Sequence, residues 1–323
     1  MNRIAVLTSG GDGPGLNPCI RAVVRTAIDK GLEVKGVRRG YSGLINLEMI
    51  DLDARSVGGI LNQGGTFLGT ARSLEFKTKQ GQREALRNLN RSGVDGLVVI
   101  GGNGSLTGAL QLHELNFPVV GIPATIDNDV NGTDISIGVD TTLNTIISAV
   151  DKIKDTASSH QRAFLIEAMG RDSGYLALMA SIAAGAELAL IPEVEVSMDE
   201  VIKTVDEAYI RGKAHCIIII AEGWQPGARP LYDFIKERRE EIGFGVRLTV
   251  LGHVQRGGAP MAYDRILATR LGAAAVQALL DGQSGVMVGM VEGKVGLTPL
   301  EEAVAFQKEL DMEICELARI MEQ

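Results

Sequence analysis

Asp127 and Asp129 stand two residues apart in the segment P-A-T-I-D-N-D, residues 123–129, directly after an apolar run at 118–122 that reads as a buried strand. Two carboxylates just past a strand end are poor core material, because an ionised carboxylate is costly to bury unless it is paired or binds a metal. The spacing suits one carboxylate taking a proton while the other holds a cation. Taken alone, a polar turn closed by an Asx hydrogen bond is the plainer explanation. What shifts the balance is that the same design recurs along the chain.

A strand at 3–8 runs into S-G-G-D-G-P-G, residues 9–15, followed by a helix for which Asn17 is the expected cap, Pro18 the first helical residue and Gly31 the stop. A glycine loop before a helix offers free backbone N–H groups to an anion. No GxxxxGK[ST] occurs, nor a properly spaced GxGxxG, so a structural glycine turn is nearly as good a reading. A second such unit follows the strand at 95–100: G-G-N-G-S at 101–105, then a helix through 112. The glycine-rich stretch 64–72 ends in Arg72, either a solvated charge or a phosphate clamp. An amphipathic helix is expected at 141–156 and an apolar helix running into a strand at 175–191. Strands at 162–168, 216–221 and 247–252 lead to Arg171, Glu222, and His253 with Arg256. One amphipathic helix is expected from Pro299 to the end.

Asp12, Asn103, Asp127, Arg171, Glu222, His253 and Arg256 thus all fall just beyond the C-terminal ends of apolar strands. Alternating strands and helices build open parallel sheets with helices on both faces, and such sheets bind ligands at that edge. The residues alone therefore predict an α/β enzyme handling phosphorylated ligands, folded as two doubly wound, Rossmann-like halves.

The bulk numbers agree. The 323 residues suffice for two domains, and 40 glycines against 9 prolines fit many tight turns better than disorder. A net charge of −8 argues against a broad nucleic-acid surface. Cys19, Cys216 and Cys315 are scattered without metal-ligand spacing, which favours a reducing, cytoplasmic setting over a disulfide framework. The N-terminal residues read as a strand rather than a signal peptide, and the apolar stretch 175–191 is too short and interrupted to span a bilayer.

The segments TSGGDGPGLN, GGTFLGTAR, VVIGGNGS, PATIDNDV, DTASSHQR, EAMGRDSG, AEG and LGHVQRGG occur in the order and spacing of the bacterial ATP-dependent 6-phosphofructokinases, and the chain resembles that family over nearly its whole length. The resemblance implies transfer of the γ-phosphoryl group of ATP to the 1-hydroxyl of fructose 6-phosphate, with Mg²⁺. It implies Asp127 as the general base, with Thr125 beside it, and Gly11 with its loop at the nucleotide phosphates. Arg72 and Arg171 would stabilise charge on the transferring group. The nucleotide side would further involve Tyr41, Ser73, Gly102, Asn103, Gly104, Ser105 and Gly108, with Asn103 and Asp129 toward the metal. The sugar phosphate would meet Met169, Gly170, Arg171, Glu222, His253 and Arg256. Arg162 and Arg247 would be donated across a subunit interface, which implies a homotetramer. The implied division is a larger nucleotide-binding domain, 1–138 with 251–300, and a smaller sugar-phosphate domain, 139–250 with 301–323, the active site between them.

Several positions depart from the family pattern. Asn103 stands where Asp is usual, which keeps the shape, loses the charge and should weaken a Mg²⁺–ATP site. Gly104 is the ATP-type choice, since pyrophosphate users place Asp there. Ala124 replaces the usual Gly and is not the Lys of pyrophosphate users. Ser73 replaces an aromatic near adenine, while Tyr41 and Phe76 remain. Arg21, Arg25, Glu187, Lys213 and His215 match the family's site for ADP or phosphoenolpyruvate, but Ala54 and Lys154 stand where Arg is usual. Weak or altered regulation is the expectation. The competing readings are a pyrophosphate-dependent enzyme, a feeble paralogue that binds and regulates, and a kinase of another sugar phosphate.

Overall fold

The computed structural model describes residues 1–238, 240 and 242–321. The chain forms two compact units, residues 1–141 with 256–308, and residues 142–255 with those from Glu309 on. The first unit begins with β1 (Arg3–Thr8), α1 (Leu16–Asp29), β2 (Glu33–Val37), α2 (Gly40–Ile45), β3 (Met49–Leu52), α3 (Lys79–Arg91), β4 (Gly96–Gly101), α4 (Asn103–Glu114) and β5 (Val119–Pro123). Helix α5 (Val139–His160) leads into the second unit, which continues with β6 (Arg162–Ala168), α6 (Tyr175–Ala184), β7 (Leu188–Leu190), α7 (Met198–Ile210), β8 (Cys216–Ala221), α8 (Ala228–Glu237) and β9 (Gly245–Val250). The chain returns with α9 (Ala262–Leu280), β10 (Val286–Val291), β11 (Lys294–Pro299) and α10 (Leu300–Ala305), and α11 (Met312–Met321) belongs to the second unit.

The first unit's sheet has the order β11-β10-β5-β4-β1-β2-β3. Its five inner strands are parallel, as expected; at the two edges β3 runs antiparallel to β2 after the intervening α2, and β11 forms an antiparallel hairpin with β10. Strand alternation sorts β1 into two cores. Ile4 and Val6 face α1 and α9, whereas Ala5 and Leu7 join the core formed with α3, α4 and α10. The strand order reverses between β1 and β4, so the loops after these strands flank the crevice where such sheets bind ligands. The second sheet, β7-β8-β6-β9, is wholly parallel and turns back at β6.

Three local expectations are corrected. Asn17 does not cap α1. Gly15, left-handed at φ 111°, precedes the helix, and Asn17 lies inside its first turn. The Asn17 carboxamide instead donates to the Gln63 and Gly64 carbonyls and accepts from the Phe67 amide at 2.5 Å. The C-terminal helix is broken. Phe306 is extended, Gln307 bridges to Val130, and α11 starts only at Met312. The unit boundaries also differ. Leu300 and Ala303 are buried in the first unit's core, which keeps residues 301–308 there, while residues 251–255 follow β9 in the second.

No helix among the described residues is long and apolar enough to cross a membrane.

Candidate active site

Three loops at the carboxyl ends of β1, β4 and β5 build the first unit's site. The β1 loop is tied to its neighbour by Ser9 N–H donating to the Ile100 carbonyl at 3.0 Å. A Cβ on Gly101 would come within 2.5 Å of the Ser9 carbonyl, so only glycine lets these two strand ends approach. Stretch 64–72 is pinned to the same loop. Thr8 Oγ1 meets Thr66 Oγ1 at 2.8 Å and donates to the Gly69 carbonyl at 3.0 Å, and Thr70 Oγ1 donates to the Gly10 carbonyl at 2.7 Å. Arg72, at the end of this stretch, is exposed. Arg256 reaches over the β1 loop, its Nη1 donating to the Asp12 carbonyl at 3.1 Å. Gly11 and Asp12 beneath it are exposed.

Helix α4 starts directly at Asn103, after Gly102 in extended conformation. The Ser105 amide already donates to the Gly102 carbonyl at 2.9 Å, while the N–H groups of residues 103 and 104 precede the first such bond and present positive potential at this crevice. Gly104 is exposed, and a Cβ placed there meets nothing within 4 Å. Packing therefore does not require glycine at 104; the space in front of it is open. Tyr41 is different from expectation. Its ring is 5% exposed, stacked on Phe76 at 4.0 Å, and its hydroxyl donates to the Ser105 carbonyl at 2.6 Å. A Cβ on Gly108 would sit 2.6 Å from that ring. Tyr41 and Gly108 thus seat α4 rather than offer a surface for a base. Ser73 accepts the Phe76 amide at 3.2 Å and holds the short turn that carries Phe76.

The aspartate turn follows β5. Asn128 adopts the left-handed region at φ 51°, which Asn tolerates, and its Oδ1 accepts the Ser136 amide at 3.0 Å. Asp127 is buried, 3% exposed, with its amide donating to Thr125 Oγ1 at 3.2 Å. Asn103 Nδ2 donates to Asp129 Oδ2 at 2.9 Å and to the Asp129 carbonyl at 3.3 Å. The Lys308 amide, unremarked in the sequence, donates to the same carbonyl at 3.0 Å.

A divalent cation fits here. With its NH₂ on Asp129, Asn103 keeps Oδ1 buried with no hydrogen-bond donor among the described residues. No group of three or more His, Cys, Asp or Glu suited to a metal occurs among the described residues. Mg²⁺ needs none, since it binds through one or two protein oxygens, waters and phosphates.

The second unit gathers Met169, Gly170, Arg171, Glu222 and His253 at the carboxyl ends of β6, β8 and β9. Glu222 Oε1 accepts the amides of Gly170 at 3.2 Å and Arg171 at 2.7 Å. Arg171 takes a left-handed conformation at φ 53° and is exposed, as is His253. Burial, and after it the neighbouring Glu222 charge, raises the Glu167 carboxyl above its ordinary range.

Arg162 and Arg247 do not join that edge. Arg162 opens β6, and Arg247 pairs with Phe164 in β9. The effector-type residues split between the units: Arg21 and Arg25 lie on α1 in the first. In the second, Glu187 pairs with Lys213 at 3.2 Å and accepts the Ile217 amide at 2.6 Å, and His215 meets Ser158 at 2.8 Å. Glu187 and Lys213 line a cavity shared with Arg211 and Arg319, which the sequence did not single out. Lys154 binds the Ala184 and Gly185 carbonyls, satisfying the C-terminal end of α6.

The family model Phosphofructokinase matches residues 3–279. The protein named ATP-dependent 6-phosphofructokinase from Thermotoga neapolitana is 52% identical over 322 residues, 99% of this chain and 100% of its own length. ATP-dependent 6-phosphofructokinase 1 from Thermus thermophilus is 51% identical over 322 residues, covering 99% of both chains. Among solved structures, Saccharomyces cerevisiae phosphofructokinase superposes with a TM-score of 0.88 at 40% identity; all of this chain matches 47% of that one. A pyrophosphate-dependent phosphofructokinase from Marinobacter aquaeolei gives 0.87 at 22% identity, over 97% of this chain and 86% of its own, and shares the fold. With matches along nearly the whole length and at half identity, this chain belongs to the phosphofructokinase family.

Proposed function

We propose that this chain is an ATP-dependent 6-phosphofructokinase, a phosphotransferase that moves the γ-phosphoryl group of ATP to the 1-hydroxyl of fructose 6-phosphate. The observation that carries the reading is Asp127, a buried carboxylate at the end of β5, next in the sheet to a strand whose following helix opens on an unobstructed glycine. Asp127 accepts the proton of the attacking hydroxyl, and Thr125 fixes its backbone. The amides around Gly11 and at the start of α4 hold the nucleotide phosphates, and Arg72 and Arg171 offset charge on the transferring group. Asn103 and Asp129 would hold Mg²⁺, which when bound neutralises phosphate charge. Open space at Gly104 favours ATP over pyrophosphate as donor, as do the names of the half-identical relatives.

Met169, Gly170, Glu222, His253 and Arg256 read the sugar phosphate. Arg162 starts β6 and Arg171 lies past its end, roughly 20 Å apart at the rise of a strand. That separation supports Arg162 and Arg247 serving the 6-phosphate of a neighbouring copy in a cytoplasmic homotetramer.

A coupled assay with fructose 6-phosphate and Mg²⁺ tests the reading. Turnover is expected with ATP and not with pyrophosphate, and Asp127→Ser should lower kcat by about 10²–10⁴-fold. Turnover with pyrophosphate alone, or an undiminished Asp127→Ser enzyme, would overturn it.

A further inference from the structure

Residues 169–171 are held by an unusual pair of side chains. Glu222 takes two amides, Gly170 and Arg171. The amide before them, Met169, donates to Gln255 Oε1 at 3.0 Å. Three consecutive N–H groups are thus fixed by two side chains. Between them the backbone takes two left-side values, φ 150° at Gly170 and φ 53° at Arg171. An arginine persists there only when its surroundings over-determine it. Glu222 is exposed, whereas Gln255 is wholly buried. Gln255 is itself anchored, its carbonyl accepting from Thr142 Oγ1 at 3.0 Å.

The other end of the Gln255 carboxamide has no use for its burial. Nε2 is enclosed and has no acceptor among the described residues. A buried donor without a partner is unfavourable, and a methionine of similar size would avoid it. What the amide supplies in return is the acceptor for Met169.

We propose that Gln255 is a positioning residue for Arg171. It sets the start of the 169–171 turn, Glu222 sets its end, and together they aim the guanidinium at the phosphoryl group. This rests on the phosphofructokinase reading. Gln255 touches no substrate; its effect passes through the 169–171 turn it holds, and chiefly through Arg171.

A double-mutant cycle tests it, using steady-state kinetics of the full-length protein for Gln255→Met, Arg171→Ala and both together, with thermal melts of each. Gln255→Met is expected to lower kcat/KM for fructose 6-phosphate by about 10–100-fold, the cost of a misplaced catalytic group. The KM for ATP should change less than about twofold, because uniform binding of the nucleotide is untouched. In the Arg171→Ala background the same change should add little further. Losses that multiply in the double variant, or a Gln255→Met enzyme as active as wild type, would overturn the proposal. If Gln255→Met does not fold, Gln255→Leu enters the same cycle. A wild type inert toward fructose 6-phosphate would refute the activity instead; the cycle would then be read by calorimetry of fructose 6-phosphate binding, with the same non-additivity expected and additivity again overturning the proposal.

Discussion

Two neighbouring residues of α4 bear on the proposed donor site, one through space and one through charge. At Gly104 the fold leaves room for a side chain, so Gly104→Asp should fold with a stability within about 0.5 kcal/mol of wild type. Its carboxylate would occupy the nucleotide's space and repel phosphate, raising the KM for ATP tenfold or more, about 1.4 kcal/mol. Urea denaturation beside ATP kinetics separates the two effects. At Asn103 the question is charge. The amide holds Asp129 as a donor and leaves one neutral oxygen for a cation. Asn103→Asp replaces that donor by a second carboxylate. Mn²⁺ binding, followed by electron paramagnetic resonance with a non-hydrolysable ATP analogue, should tighten by about 1.5–3 kcal/mol, the scale of interactions with charged groups. In chelator the two carboxylates repel, so the variant's melting temperature should fall there and recover with metal.

At the scale of elements, buried polar side chains set the helix ends. Asp264, in the first turn of α9 and wholly buried, accepts the Gly138 amide at 2.7 Å, the Thr141 amide at 2.8 Å and Thr141 Oγ1 at 2.6 Å, and so caps α5. Burial raises its carboxyl above the ordinary 3.8, and the hydrogen bonds from Thr141 and Gly138 oppose that rise. The folded state therefore keeps this proton more tightly than the unfolded chain. The linked stabilisation is complete below 3.8 and is lost as pH rises through the folded value. Asp264→Asn cannot titrate. The stability of wild type minus variant should fall as pH rises above 3.8 and level off once the folded carboxyl has ionised, as urea midpoints would record. Such capping explains what the sequence could and could not disclose. β6 is legible because an apolar run is bounded by Arg162 and by glycine after Met169. The break after Ala305 is not, because amphipathic spacing continues through it and the cause is a bridge to Val130, far away in the chain. Asn17 precedes a proline and imitates a cap, yet its carboxamide serves residues 63–67.

For the whole molecule, the residues after strand ends were legible as a set because their spacing repeats. Gln255 and Lys308 were not, since each acts by holding the backbone of another loop. Placement of Arg162 at the opposite end of β6 from Arg171 makes a molecular prediction. Arg162→Ala and Asp127→Ser should each be nearly inactive alone. Unfolded together and refolded as mixed oligomers, they should regain part of the wild-type rate, because some sites then draw an intact Asp127 from one copy and an intact Arg162 from another. No recovery in demonstrably mixed oligomers would place both residues in one copy's site. The strand order has a consequence for synthesis. β5, which carries the aspartate turn, lies between β4 and β10 in the sheet, and Asp129 is braced by Lys308. A growing chain on the ribosome therefore presents β5 as a bare edge until residue 291 has emerged. Until then the unpaired edge is open to another chain, and until residue 308 follows the aspartate turn lacks its brace as well.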